Sequence, residues 1–143
     1  MIRTATIEDA PILCHLCQTA LGHTASVEQI TDKIAKLTKD PACYLIVLEN
    51  EITHTVDGFL QAEEYRLLYG EDGWNVIALA VESQSRRQGI GRQLLSALER
   101  YAAARQAGFI RLNCREERKD VHTFYESNHY SCDKTQKRFI KYL

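Results

Sequence analysis

Trp74-Asn75-Val76-Ile77-Ala78-Leu79-Ala80-Val81 is a nearly unbroken apolar run, and shortly after it Arg86-Arg87-Gln88-Gly89-Ile90-Gly91-Arg92 opens an amphipathic segment. The run fits a strand covered on both faces. Behind it Ile90, Leu94, Leu95, Leu98, Tyr101 and Ala102 recur at helical spacing, and Ala107-Gly108 reads as a left-handed stop. Gly89 and Gly91 let the backbone turn sharply and approach a ligand, while the first N–H groups of a helix have no partners inside it. Those donors, the helix dipole and the flanking Arg86, Arg87 and Arg92 together favour an anion, most naturally a pyrophosphate. Two phosphate loops do not fit the letters. The dinucleotide fingerprint wants a third glycine where Leu94 stands, and the nucleoside-triphosphate loop wants Gly-Lys-Ser or Gly-Lys-Thr where Gly91-Arg92-Gln93 stands.

Working outward, residues 2–5 read as a first strand leading into a helix begun by Thr6, with Asp9 in the place of a capping-box acid. Ser26 and Gln29 repeat that logic, so a second helix should run to about Thr38 before Asp40-Pro41 stops it. Residues 44–49 and 56–68 read as strands joined at Asn50-Glu51, the second bent at Gly58. After the long helix a strand at 109–114 would lie parallel to the apolar run, since a crossover helix joins them. A short helix at 120–127 and two strands at 130–133 and 137–142 would complete the chain. The expected fold is α/β: a mixed, largely antiparallel sheet with helices on both faces. No repeat or linker divides it, so residues 1–143 read as one domain.

The sequence has 143 residues, ordinary apolar content and a net charge of −1. No apolar run is long enough to suggest a membrane span, and Thr6, Glu8 and Asp9 interrupt any signal-peptide core, so a cytoplasmic protein is expected. Five scattered cysteines fit reduced thiols. Cys14 and Cys17 are spaced like a metal or redox pair, yet they lie on an apolar helical face with no second pair downstream, and no metal is expected. The charge is unevenly placed. Between Asp40 and Glu82 nine acids face Arg66 alone, whereas between Arg86 and Lys119 nine bases face Glu99, Glu116 and Glu117. One stretch suits a polyanionic cofactor and the other a cationic substrate. Nothing beyond the loop suggests nucleic acid.

Arg86, Gly89 and Gly91 fill in register the acyl-CoA loop of the GCN5-related N-acetyltransferases (GNAT): Gln or Arg, two residues, Gly, one residue, then Gly or Ala. Leu79-Ala80-Val81 resembles the strand end where that family bonds the pantetheine arm, residues 2–10 resemble its opening, and Thr123-Phe124-Tyr125-Glu126-Ser127-Asn128-His129-Tyr130 resembles its Phe-Tyr-Glu segment. The resemblance implies a parallel strand pair splayed around the acyl-CoA arm, with acetyl-CoA as cosubstrate. The cofactor would be held by Leu79, Ala80, Val81 and the loop Arg86, Arg87, Gln88, Gly89, Ile90, Gly91 and Arg92. It also implies direct acetyl transfer to a primary amine, with Tyr125 protonating the departing thiolate. Members that place a glutamate at Asn75 use it as base. Here an amide stands there, and Glu63 and Glu64 on the preceding strand are the acids left to take its part, on opposite faces by alternation.

Three residues depart from the family pattern. His129 and Tyr130 stand where glycine and phenylalanine are usual, and Arg118 stands where many members bond pantetheine through asparagine. The acidic stretch favours a cationic acceptor, either a small molecule or a basic peptide end. A non-catalytic acyl-CoA sensor or interaction module is compatible with the same loop. A homodimer is compatible with an edge strand, which invites pairing.

Overall fold

A computed structural model describes all 143 residues, Met1–Leu143. The chain divides into two compact units, residues 1–112 and 113–143. The first holds a five-stranded sheet in the order β1-β2-β3-β4-β5, formed by Ile2–Thr4, Cys43–Glu49, Val56–Tyr65, Gly73–Val81 and Phe109–Arg111. Every neighbouring pair is antiparallel except β4 and β5, which run parallel. Three helices accompany it: α1 (Ala10–Leu21), α2 (Val27–Leu37) and α3 (Ile90–Ala104).

Alternation along the strands sends apolar residues to both faces. Leu45, Val47, Phe59 and Ala80 pack with Leu13 and Leu16 of α1 and Ile34 of α2. On the other side α3 turns Leu94, Leu95 and Leu98 inward, all essentially without solvent contact. Gly58 makes that approach close. A Cβ there would stand 2.8 Å from the Ala80 carbonyl oxygen and 3.1 and 3.2 Å from side-chain carbons of Ile90 and Leu94. Farther along α3, Tyr101 stacks on Tyr44 at 3.9 Å and meets Trp74 edge-on at 5.3 Å.

Local signals mark the helix ends. Ser26 and Gln29 close a capping box, with Gln29 N–H donating to Ser26 Oγ at 3.1 Å and Ser26 N–H to Gln29 Oε1 at 2.9 Å. Asp9 has a larger task than its cap position suggested. Its carboxylate accepts from Thr6 N–H at 2.8 Å and takes both terminal nitrogens of Arg3 at 2.8 Å, while Arg3 Nε donates to Glu49 Oε2 at 2.6 Å. Burial pushes the Asp9 carboxyl up, but the Arg3 and Thr6 hydrogen bonds outweigh it and hold the pKa below the usual carboxylate value.

The helix stop lies earlier than Ala107-Gly108. α3 ends at Ala104, and Gln106 takes the left-handed conformation with φ 61°. Gly108 is needed for proximity instead, since a Cβ would run into Glu71, while its N–H donates to Asp72 O at 2.8 Å. β3 stops at Tyr65 rather than at residue 68, and β5 is confined to Phe109–Arg111.

The second unit contains α4, Lys119–Ser127, closed by Tyr130 N–H donating to Tyr125 O at 3.0 Å and Asn128 Nδ2 donating to Phe124 O at 2.8 Å. The two strands expected at 130–133 and 137–142 are absent. Residues 131–143 take no helix or strand conformation and are exposed throughout. Alternation alone forms no strand where no neighbouring strand pairs with the backbone.

Candidate acyl-CoA site

β4 and β5 pair only from Gly73 to Asn75 against Phe109 to Arg111. From Val76 to Val81, β4 has no strand on its β5 side. The parallel pair is therefore splayed, and the backbone of Leu79, Ala80 and Val81 borders the opening. Ladder bonds to β3 hold the opposite edge throughout, with Leu79 facing Leu60, Ala80 facing Phe59 and Val81 facing Gly58.

One residue breaks that ladder. Ala62 pairs with Val76 and Gln61 with Ala78, so Ile77 has no partner in β3 and forms a bulge. Its side chain is 46% exposed, unusual for an isoleucine in a central strand. Before the bulge Trp74 and Val76 face α3; after it Leu79 and Val81 do.

Beyond Val81 the chain makes a short turn, Ser83–Ser85, anchored by Glu82, whose carboxylate accepts from Ser83 N–H at 3.0 Å. Glu82 Oε2 also lies 3.3 Å from His15 Nε2 on α1, and Glu82 N–H donates to Asp57 O at 2.8 Å. The loop then takes two left-handed residues, Arg87 at φ 64° and Gly89 at φ 77°. Gly89 suffers nothing by it, but Arg87 carries a Cβ into a region that costs about 1–2 kcal/mol for ordinary residues. Strain of that kind marks a loop held to one shape. Gly89 is also the N-cap of α3 and offers no side-chain oxygen to the first turn. Ile90 is buried and fixes the helix start, while Arg86, Arg87, Gln88 and Arg92 are exposed. None of these arginines is in an ion pair with a carboxylate. An uncapped helix N-terminus ringed by unneutralised guanidinium groups is suited to a phosphate ester.

The two glutamates separate as alternation requires. Glu63 pairs with Asn75 and Glu64 with Trp74, so Glu64 lies on the α3 side. Both are exposed. Glu63 belongs to a polar group that sequence reading missed: Asn75 Nδ2 lies 3.5 Å from Glu63 Oε1, Arg111 Nη1 donates to Asn75 Oδ1 at 2.6 Å, and the Arg111 guanidinium sits 4.7 Å from the centre of the Tyr65 ring. Asn75 was the one polar letter in an apolar run, and that was the available signal. The group stands where β4 and β5 are last paired.

In the second unit Tyr125 lies on α4 with Phe124 and Tyr130 rings edge-on at 5.1 and 5.7 Å. Burial pushes its pKa up to about 12, the Cys114 thiol adds to the rise, and Arg118 opposes it. The phenol therefore stays protonated across ordinary pH. His122 Nε2 lies 2.8 Å from Arg115 O and is engaged locally. His129 has φ 69°, which gives the family's glycine at that position a physical reason.

Cys14 and Cys17 are both half-buried free thiols, and Cys14 Sγ lies 3.0 Å from Ala25 O. No cluster of three or more His, Cys, Asp or Glu side chains is placed to hold a metal ion. No helix is long and apolar enough to cross a membrane.

Known structures share this architecture. A transcriptional regulator from Bacillus halodurans C-125 matches at 23% identity with a TM-score of 0.86, covering 99% of each chain. A GNAT family acetyltransferase from Staphylococcus aureus matches at 20% identity and TM-score 0.76 over 100% of this chain and 98% of that one. An aminoglycoside antibiotic 6'-N-acetyltransferase from Acinetobacter haemolyticus matches at 14% identity and TM-score 0.80, over 100% and 99%. At such identities the likeness is one of fold. No curated protein matches the sequence. The acetyltransferase (GNAT) family model, however, matches residues 11–130, taking in the bulged strand, the arginine loop and the Tyr125 segment. The chain belongs to the GNAT acetyltransferase family and is an acyltransferase.

Proposed function

We propose that the protein transfers the acetyl group of acetyl-CoA directly to a primary amine on a cationic acceptor, a small molecule or a basic peptide end, and that residues 1–143 act as one N-acetyltransferase domain. The loop carries this reading: left-handed Arg87 and Gly89 lead into an uncapped helix whose neighbouring arginines have no carboxylate partners. In the proposed reaction Arg86, Arg87, Gln88, Gly89, Ile90, Gly91 and Arg92 hold the pyrophosphate, and the open edge of Leu79, Ala80 and Val81 bonds the pantetheine arm. A neutral amine attacks the thioester carbonyl carbon, the C–N bond forms, and the C–S bond breaks. Tyr125 gives its proton to the thiolate, and the ammonium proton leaves to Glu63 or to water. Glu63 is preferred over Glu64 because it shares its face with Asn75, two residues before the bulge. Holding the two reactants in line supplies much of the rate, since no covalent intermediate is needed.

The acidic stretch before the loop supports a cationic acceptor, because opposite charge concentrates substrate at the site. Among the structural neighbours, two are described as aminoglycoside acetyltransferases, and aminoglycosides are cationic amines. A panel of amines with acetyl-CoA, followed by free-thiol release, tests the reading. Polyamines, aminosugars and basic peptides should react ahead of neutral or anionic amines, and the reverse order refutes the acceptor class. Stabilisation by acetyl-CoA with no thiol release on any amine favours the sensor reading.

A further inference from the structure

β3, β4 and β5 share one rung where β4 and β5 part. Glu63 pairs with Asn75 and Asn75 with Arg111, so the three side chains stand on one face of the sheet, opposite to that of Trp74 and α3. The rung two residues away is aromatic. Tyr65 and Phe109 flank Gly73 on the same face and meet edge-on at 6.1 Å, and a Cβ on Gly73 would run into the Phe109 ring. Glycine at the middle leaves the two rings room to meet across β4, and the Tyr65 ring gives Arg111 a flat seat, with the guanidinium 4.7 Å from its centre.

The hydrogen bonds of the polar rung have a direction. Arginine carries donors only, so Arg111 Nη1, 2.6 Å from Asn75 Oδ1, turns the amide oxygen toward β5. The amide nitrogen is thereby turned toward β3, where Nδ2 lies 3.5 Å from Glu63 Oε1. Donation runs in sequence from Arg111 through Asn75 to Glu63, and polarisation along such a chain strengthens each bond. Asn75 and Arg111 are half-buried, whereas Glu63 is exposed and no basic side chain pairs with it. Its second carboxylate oxygen, Oε2, is left facing solvent without a protein donor.

We propose that Arg111 and Asn75 are positioning residues that hold Glu63 so that Oε2 receives the acceptor's ammonium group before it loses its proton. Glu63 then selects for a positively charged amine. The arm running from the arginine loop along Val81, Ala80 and Leu79 leads back toward this rung, which brings the thioester and the amine to the same end of the opening. The inference rests on the acetyl-transfer reading above and adds to it the two residues that fix the direction of the carboxylate.

A double-mutant cycle on kcat/KM for the best-reacting amine tests it. Glu63→Gln should lower that value about tenfold or more and Asn75→Leu ~3- to 10-fold, both with KM for acetyl-CoA unchanged. In the Glu63→Gln background Asn75→Leu should change it less than about twofold, because the partner is already gone. Arg111→Met should match Asn75→Leu, and Arg111→Lys, which keeps a donor for the amide oxygen, should recover most of the loss. Additive losses in the two backgrounds overturn the proposal, as does a change confined to KM for acetyl-CoA. A second measurement needs no turnover. The side-chain amide signals of Asn75 in the nitrogen–proton NMR spectrum, assigned through its own backbone, should move when spermidine is added to the parent protein and stay still in Glu63→Gln. Signals that ignore spermidine in the parent overturn the proposal even where other variants fail to fold. If no amine releases thiol yet these signals respond as expected, the acetyl-transfer reading fails and the positioning of Glu63 stands; thiol release with an additive cycle is the opposite result.

Discussion

Replacing Gly58 by alanine adds one methyl group at the point where β3, β4 and the first turn of α3 converge. The new Cβ would stand 2.8 Å from the Ala80 carbonyl oxygen, which belongs to backbone and cannot swing aside, and 3.1 and 3.2 Å from carbons of Ile90 and Leu94. Relief requires a few tenths of an ångström of movement in β4 or α3. Overpacking of this kind costs about 1–3 kcal/mol, and the lower entropy of an unfolded chain with alanine returns about 0.4–1 kcal/mol. A net loss of about 1–2 kcal/mol corresponds to a fall in Tm of roughly 4–8 °C for a domain of this size. Ala80 lies on the edge proposed for pantetheine and Ile90 opens the helix proposed for pyrophosphate, so the same strain should raise KM for acetyl-CoA by ~3- to 10-fold. Gly70→Ala is the control. Its Cβ would meet only Leu67 at 3.6 Å, an ordinary contact, and Tm should not fall. Thermal denaturation with initial rates at varied acetyl-CoA checks both variants. A Gly58→Ala protein as stable as its parent, with unchanged KM, would refute the packing argument.

Asp9→Asn should destabilise the fold by about 2–3 kcal/mol near neutral pH, between the values for exposed and fully buried ion pairs. Because the folded pKa of Asp9 is held below its unfolded value, its contribution is complete above about pH 4 and disappears as pH falls through the folded pKa, so urea midpoints of parent and variant should converge there. Arg86→Ala and Arg92→Ala should each weaken acetyl-CoA binding about tenfold at low salt and less at high salt, with kcat little changed; calorimetry at two ionic strengths reads this. Tyr125→Phe should lower kcat about 100-fold without a comparable change in KM for acetyl-CoA. With the phenol pushed up to about 12, the pH–rate profile of the parent should show no Tyr125-dependent fall below about pH 10. A descending limb near pH 9 that vanishes in the variant would contradict that.

The parts of the site legible in the sequence were those made by local chemistry. Gly89 announces a left-handed turn, and the spacing from Ile90 to Leu98 announces the helix behind it, so loop and helix stand where the letters place them. The bulge at Ile77 was not legible. A strand covered on both faces reads as an unbroken apolar run, and in such a run a change of phase leaves no trace. The ion pair of Arg3 with Glu49 was hidden for another reason: β1 and β2 bring together residues distant in sequence, and spacing carries no record of that pairing. Gly108 misled because a glycine after a helix usually serves as its stop, whereas here Gln106 takes the left-handed turn. The expected strands at 130–133 and 137–142 failed on pairing, since a strand is a property of two segments.

The extra residue at Ile77 also makes β4 two half-strands set out of step. The first half presents Trp74 and Val76 to α3, and the second presents Leu79 and Val81 to the same helix although an even number of residues, Ile77 and Ala78, lies between the two sets. Removing Ile77 would restore strict alternation with Trp74 still against Tyr101 and Ala80 still in the α1 core, whereas straightening the strand with Ile77 kept would turn one half inside out. This strand thus has one residue to spare, and deletion of Ile77 should do less harm than a one-residue deletion in β3 opposite it, which no bulge absorbs.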